Sequence, residues 1–448
     1  MIDTQTALAR CEALVTLARK KGADAADAVA SAQTSESVTV RLGNLEEVER
    51  SESEEIGLRV FVGHRSATIS TSDFTAHSLD TLAARAVEMA RIAPEDRHAG
   101  LAPAECLFEG IPPDLDLFDA TERAPADLRS AATAVEEAAR AVEGVSNSDG
   151  GSASTSHSVA ALVTSNGFAQ GYETSGHSLS ASVIAGEGAD KQTDYAMRSA
   201  RHLADLPDAE TIGSKAGERA VARLRPGSMP SARMPVVFDP RVGLGLVGHL
   251  IAAMSAPAIA RKASFLMGHE DEILFDSAIR ILEDPLRPRG LRSRAFDGEG
   301  VACTAKALVE GGKIGGWLTN VSSASQLGLG LTGNASRGGS GAPGVSASNV
   351  HLAAGDVSPQ DLMRDIEDGL YVTSLFGQGV NGVTGDYSRG ATGFRIRGGE
   401  IAGAVAEITI AGNLLDMFRA LVPADDLEMH RAVNVPTLRI DGMMVAGE

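Results

Sequence analysis

With 43% hydrophobic and 22% charged residues over 448 positions, the chain has the composition of a soluble globular protein large enough for two or three cored domains. Its formal net charge of −19 repels nucleic acid and anionic membrane, and no basic cluster is large enough to override that. There is no apolar run of about 18 residues to cross a membrane, Met1-Ile2-Asp3-Thr4 is too acidic for a signal peptide, and Cys11, Cys106 and Cys303 are too scattered for a disulfide framework or a CxxC metal site, so the expected location is cytoplasmic.

In chain order, Thr4 is placed to cap a helix whose apolar face is Ala7, Leu8, Cys11, Leu14, Val15 and Ala18, ended by Gly22. Strands are predicted at Ser37–Leu42 and Ile56–Ser70, the latter folded at Gly63-His64. The acidic run from Glu46 to Glu55 between them reads as a solvated strand face or loop. Helices follow at about Ser78–Ile92 and Ala126–Val142, separated by the Pro-rich, irregular segment His98–Pro125. Residues 144–200 turn to Ser/Thr/Gly-rich β patterning. A hairpin is expected there from Val159–Thr164 and Phe168–Glu173 around Asn166-Gly167, with a further strand at Ser178–Ile184. A helix at Ala209–Leu224 runs into Arg225-Pro226-Gly227-Ser228-Met229-Pro230, which marks a boundary between an N-terminal domain, 1–225, and a C-terminal domain, 230–448.

The second half opens with strand Pro235–Phe238, and Asp239-Pro240 then supplies an N-cap with proline at the first helical position. Strands are expected near Ile279–Glu283, Ala305–Glu310 and Ile314–Thr319, with short helices at Ser322–Leu327 and Ser358–Ile366. Gly328–Pro343 reads as a long mobile or binding loop. Helices and strands cluster rather than alternate, so the expected class is α+β. Helices with an antiparallel sheet come first, then a mainly antiparallel β domain with a few helices.

The stretch Gly377–Arg419 changes character three times. Glycines punctuate short β-prone pieces up to Gly393, Phe394–Arg397 and Ile401–Ile410 pair across Gly398-Gly399, and Leu414, Leu415, Phe418 and Leu421 then fall on one helical face. Asn381, Thr384, Asp386, Tyr387, Ser388 and Arg389 crowd among the glycines, where turn chemistry alone also accounts for such residues. Four segments match GxGxxG, but the first lies inside a helix already begun at Asp239-Pro240 and the others run into loop or strand. Neither a Walker A sequence nor a GxSxG elbow occurs.

GQGVNGVTGDYSRGATGF followed by EITIAGNLLDM resembles the PmbA (TldE) branch of the TldD/PmbA family, known as modulators of DNA gyrase. Shorter similar pieces lie at Val236–Phe238, Arg261–Phe265, Asp297–Gly300 and Thr332–Ala335. The resemblance is strong over 230–420 and rests on pattern and order before that. Active TldD-type members carry a His-Glu-x-x-x-His helix with zinc on the histidines and glutamate as general base. In register with Arg261-Lys262, that helix here reads Gly248-His249-Leu250-Ile251-Ala252-Ala253. Gly248 and Ala253 replace the ligands and His249 the base, and no cysteine after Cys303 matches the family's further ligand. The resemblance therefore implies no catalytic residue and no metal in this chain. It implies a silent subunit of a two-chain zinc metalloprotease, with zinc in a TldD-like partner and an unfolded or leader peptide as the extended substrate. Residues 381–389 would line the shared chamber, and the chain alone would form a homodimer. Two alternatives stand beside this reading: a stand-alone modulator related to gyrase or a toxin–antitoxin pair, and a metal-independent hydrolase using Asp386, Tyr387, Ser388 and Arg389.

Overall fold

A computed structural model describes residues 2–447. Its N-terminal half holds α1 (Thr4–Lys20), β1 (Ala25–Arg41), β2 (Asn44–Val62), β3 (Arg65–Thr71), α2 (Ala76–Ile92), α3 (Pro125–Arg140), β4 (Val145–Thr164), β5 (Ala169–Ala185), β6 (Gln192–Ala200) and α4 (Ala209–Ala222). The six strands form one antiparallel sheet in the order β3-β2-β1-β4-β5-β6. The central strands are longer than their patterning suggests. Ser37–Leu42 is only the end of β1, and the two strands expected at 168–173 and 178–184 are a single β5. The alternation is carried by alanine, which sequence periodicity underweights. Ala26, Ala28, Ala30 and Ala32 share one face of β1 with Val38 and Val40.

That face is long enough to seat two helix pairs side by side. α1 and α2 pack on one end against Ile56, Leu58 and Val60, whereas α3 and α4 pack on the other against Leu179, Ala181 and Val183. Gly213 and Gly217 let α4 lie directly on α3, where a Cβ would meet the backbone of Val135 and Ala139. The cap of α1 is Asp3 rather than Thr4, its carboxylate accepting from Thr6 N at 2.7 Å. A carboxylate there also complements the helix dipole. The acidic run belongs to the exposed first part of β2.

The C-terminal half begins with β7 (Ala232–Phe238), α5 (Pro240–Ala253) and α6 (Ala256–Ala260). Next come β8 (Ile281–Glu283), β9 (Lys306–Glu310), β10 (Lys313–Ile314), α7 (Val321–Leu327), β11 (Ala335–Ser336), β12 (Gly344–Val345), β13 (Val350–Leu352) and α8 (Pro359–Met363). The chain ends with β14 (Asp368–Phe376), β15 (Asp386–Arg397), β16 (Glu400–Asn413), α9 (Leu414–Arg419), β17 (Leu421–Pro423), β18 (Val433–Asn434) and β19 (Leu438–Ala446). The larger sheet runs β16-β15-β14-β7-β19-β17, and a further β16–β19 pairing closes it on itself. Pairing in it is antiparallel except between β7 and β14, while β8, β9, β10, β13 and β18 make a smaller sheet in which β13 and β18 run parallel. Phe238, Leu250, Ile410 and Phe418 are among the fully buried residues of the core between these layers. The strand expected at Ile314–Thr319 survives only as Lys313–Ile314.

Part of the second face of the N-terminal sheet is covered by the C-terminal half. Asp27 and Arg59 are directly opposite across β1 and β2, with Arg59 Nη2 and Nε donating to Asp27 Oδ2 at 2.5 and 3.0 Å. Arg59 Nη1 also reaches Glu299 at 3.2 Å, and the Arg337 guanidinium is in ionic contact with Asp27. All four side chains are at least nine-tenths buried. The loop 328–343 is therefore anchored rather than mobile. Arg337 is sunk into the interface, and the backbone at Gly339 lies so close to Gly57 that a Cβ on either would collide.

Burial alone would raise the Asp27 pKa, but Arg59 and then Arg337 more than offset it and hold it below the usual carboxylate range. Removing Asp27 leaves two buried guanidinium groups without their shared anion, so Asp27→Asn should cost about 3–5 kcal/mol of stability, measured as a lower denaturant midpoint. Because the folded pKa is depressed, the Asp27 contribution should be complete above the unfolded value of about 3.9 and vanish as pH falls through the folded pKa. A midpoint unchanged by the substitution would contradict the role given to this cluster.

Candidate functional site

The helix α5 positions the site. Asp239 caps it by accepting from Arg241 N at 2.9 Å, and Pro240 occupies the first turn. Gly243, Leu246, Val247, Leu250 and Ala253 bury one face in the C-terminal core. Gly243, Gly245 and Gly248 thus lie within a helix and cradle no phosphate. The C-terminal end of α5 is tied by Ser264 Oγ, which donates to the Ala253 carbonyl at 2.7 Å.

At that end His249, Ala252 and Ala253 face a cavity of about 230 Å³. Ala263 and Phe265, after α6, form one wall, and Gln378, Val380, Gly382 and Arg389 form another. The His249 ring meets Tyr387 edge-on, with centroids 6.2 Å apart. Burial, and secondarily the Arg389 charge, lowers the His249 pKa below its ordinary value, so the imidazole is neutral at pH 7. Arg389 donates through Nε to the Phe376 carbonyl at 3.2 Å and has no carboxylate in ion-pairing range among the described residues.

The aligned triplet does not share one face. Gly248 is exposed, with open space where a Cβ would stand, and is not part of the cavity wall. Five residues separate it from Ala253, which places them about 140° apart around the helix. His249 is the cavity's one imidazole, and no group of three or more His, Cys, Asp or Glu side chains converges among the described residues. A zinc ion needs about three protein ligands, so the donor set in this chain does not fit one. Cys11 and Cys303 are no substitutes, since burial pushes their thiols up to about 12 and about 11.

Of the six residues singled out in the glycine-rich stretch, only Arg389 lines the cavity. Asn381 Oδ1 accepts from Val383 N and Thr384 N, Thr384 Oγ1 donates to Asp386 at 2.6 Å, and Asn413 Nδ2 reaches Asp386 at 3.3 Å. These side chains hold the loop 377–385 in place, as turn chemistry would. Ser388 is exposed, whereas Tyr387 is buried and its phenol is pushed up to about 12 by that burial. Alternation along β15 sends Asp386 and Ser388 to one side and Tyr387 and Arg389 to the other. The four cannot converge on one substrate atom. Sequence reasoning missed Ala263, Phe265, Gln378 and Val380 as cavity walls. The signal available was their place in the quoted segments Arg261–Phe265 and GQGVN.

A two-half α+β chain whose core helix ends at a small cavity is the architecture that these observations define. Domain 1, the central domain and the C-terminal domain of the PmbA/TldA metallopeptidases match residues 26–90, 116–224 and 231–447, respectively. The first two share the single N-terminal sheet. Similar proteins include Metalloprotease PmbA of Escherichia coli, 35% identical over 95% of this chain and 93% of its own. A homolog in Haemophilus influenzae is also 35% identical, over 97% and 94% of the two chains. A Bacteroides thetaiotaomicron protein described as a candidate modulator of DNA gyrase superposes with a TM-score of 0.91 at 26% identity, covering 100% of both chains. TldE from Thermococcus kodakarensis shares the fold, with a TM-score of 0.86 at 20% identity over 97% of this chain and 99% of its own. The chain belongs to the PmbA/TldD family.

His249 should titrate below its ordinary value of about 6.5 when followed by NMR. Arg389→Gln should move the midpoint upward by removing the nearby positive charge, without bringing it fully back, since burial is the larger cause. A midpoint above 6.5 in the unaltered chain would contradict the placement of the ring.

Proposed function

We propose that this chain is the catalytically silent, PmbA/TldE-type subunit of a two-chain zinc metalloprotease that acts on unfolded or leader peptides. The observation that carries the reading is the cavity at the end of α5, where His249 is the single imidazole and no carboxylate or thiol joins it in the lining. Zinc and the general base would come from a TldD-like partner. This subunit would close the chamber and help hold an extended peptide, chiefly through backbone hydrogen bonds, which need little side-chain specificity. The exposed glycine loop 377–385 offers such backbone beside the cavity.

Two exposed apolar side chains belong to that surface, Phe376 just before the loop at 51% and Val383 within it at 54% exposure. Apolar surface beside a cavity suits a protein partner. A metal-independent hydrolase built on residues 386–389 is disfavoured by their alternation across β15. No helix among the described residues is long and apolar enough to cross a membrane.

Co-expression with the TldD-like chain tests the reading. The untagged, isolated chain should hold well under one zinc by elemental analysis, while the co-purified complex should hold zinc and cleave an unfolded peptide in a chelator-sensitive way. Stoichiometric zinc or chelator-resistant cleavage by the isolated chain would refute the proposal.

Made alone, the chain should pair with itself through the surface that otherwise meets its partner. Light scattering at micromolar concentration should therefore show a homodimer. Val383→Asp should weaken that dimer by roughly tenfold or more, because a carboxylate would be desolvated in the interface. A strict monomer, or a dimer indifferent to the substitution, would count against this surface.

A further inference from the structure

The opposite end of α5 opens into a second cavity that the peptidase reading does not use. It occupies about 310 Å³ at the junction of the two halves, space for roughly ten water molecules. Helical spacing brings Lys215 and Arg219 to the same face of α4, one turn apart. Arg198 on β6, Arg241 in the first turn of α5, and Arg431 in the segment before β18 complete a ring of five cations. In a chain of net charge −19, such a concentration of positive charge is unusual.

The carboxylates on the walls are already engaged. Asp239 caps α5, Asp426 accepts from Thr437 N and Oγ1 at 2.8 and 2.7 Å, and Glu428 pairs with Arg198 at 2.9 Å. Arg241 is held by Asp194 behind the wall through contacts of 2.6 and 3.1 Å. Lys215, Arg219 and Arg431 are left without a carboxylate in ion-pairing range among the described residues. Arg219 donates to the Tyr195 carbonyl at 3.1 Å, and Arg431 Nε donates to His430 Nε2 at 3.1 Å. His430 can accept because it is neutral. Burial, followed by the Arg198 and Arg431 charges, pushes its pKa down to about 4, in keeping with a positive field.

We infer that this cavity binds a small phosphate-type oxoanion, either inorganic phosphate or the phosphoryl group of a small phosphate monoester. Two guanidinium forks and one ammonium stand free of ion pairs among the described residues, and the five wall cations outnumber the three wall carboxylates, which suits an oxoanion with several acceptor oxygens better than a carboxylate with two. The oxoanion would lie between α4 of the N-terminal half and Arg431 of the C-terminal half, so its binding would staple the two together. The site is separate from the His249 cavity, at the other end of α5 and about 15 Å away along the helix axis.

The test is titration of the full chain by calorimetry and thermal unfolding with inorganic phosphate, glycerol 3-phosphate and acetate, with chloride holding ionic strength constant. Saturable binding of phosphate or the monoester, with a matching rise in Tm, is expected, and acetate should bind at least tenfold more weakly. Tighter binding of glycerol 3-phosphate would identify a phosphorylated small molecule, whereas tighter binding of inorganic phosphate would identify the free ion. Arg219→Gln with Arg431→Gln should weaken binding by at least tenfold. Lys215→Gln, at the exposed rim, should keep the fold intact and weaken binding several-fold. Phosphate no better than matched chloride, acetate equal to phosphate, or undiminished binding by the folded Lys215→Gln protein would overturn the assignment.

Discussion

Four buried charges join the two halves of this molecule. Asp27 and Arg59 come from neighbouring strands of the N-terminal sheet, and Glu299 and Arg337 come from loops of the C-terminal half. Burying any of them singly would be prohibitive, and they persist only as a group. The group is not symmetrical. Asp27 is held ionised below its ordinary pKa, whereas burial raises the pKa of Glu299 against the pull of Arg59. The remaining guanidinium nitrogens of Arg337 find no acceptor. Such a cluster specifies one docking arrangement, because any slip leaves a buried ion alone.

Once the halves are docked, α5 becomes a strut shared by two cavities. Its first turn reaches the basic junction beside α4, and its last turn ends at His249 and Ala253. The closed C-terminal sheet holds it there. β19 pairs with β17 through Leu438–Ile440 and with β16 through Met444–Ala446, so one strand completes the enclosure.

The glycine-rich stretch shows how structure and chemistry divide the same residues. Gly379 and Gly390 permit close approach of the loop and of Phe376 to β15, and Asn381, Thr384, Asp386 and Asn413 knot the loop in place. Arg389 alone is left to face the cavity and set the charge felt by His249. A dense polar motif can therefore serve mainly to shape backbone, with a single side chain reaching the site.

The sequence by itself determined the helices with clear periodicity, the Asp239-Pro240 start of α5, the hairpin turn at Gly398-Gly399 and the α+β class. These features depend on residues close in the chain, where propensity and capping decide. Tertiary structure alone decided the length of the alanine-bearing strands β1 and β5, which become continuous because helices pack closely over small side chains. It also decided that Gly248 faces solvent while Ala253 faces the cavity, and that Arg337 is buried rather than carried on a free loop. The closure of the C-terminal sheet and the gathering of Arg198, Lys215, Arg219 and Arg431 belong to the same category. Each depends on groups far apart in sequence. The free energy of a buried charge or of a glycine's missing Cβ depends on what lies across the interface, and local patterning carries no record of that neighbour.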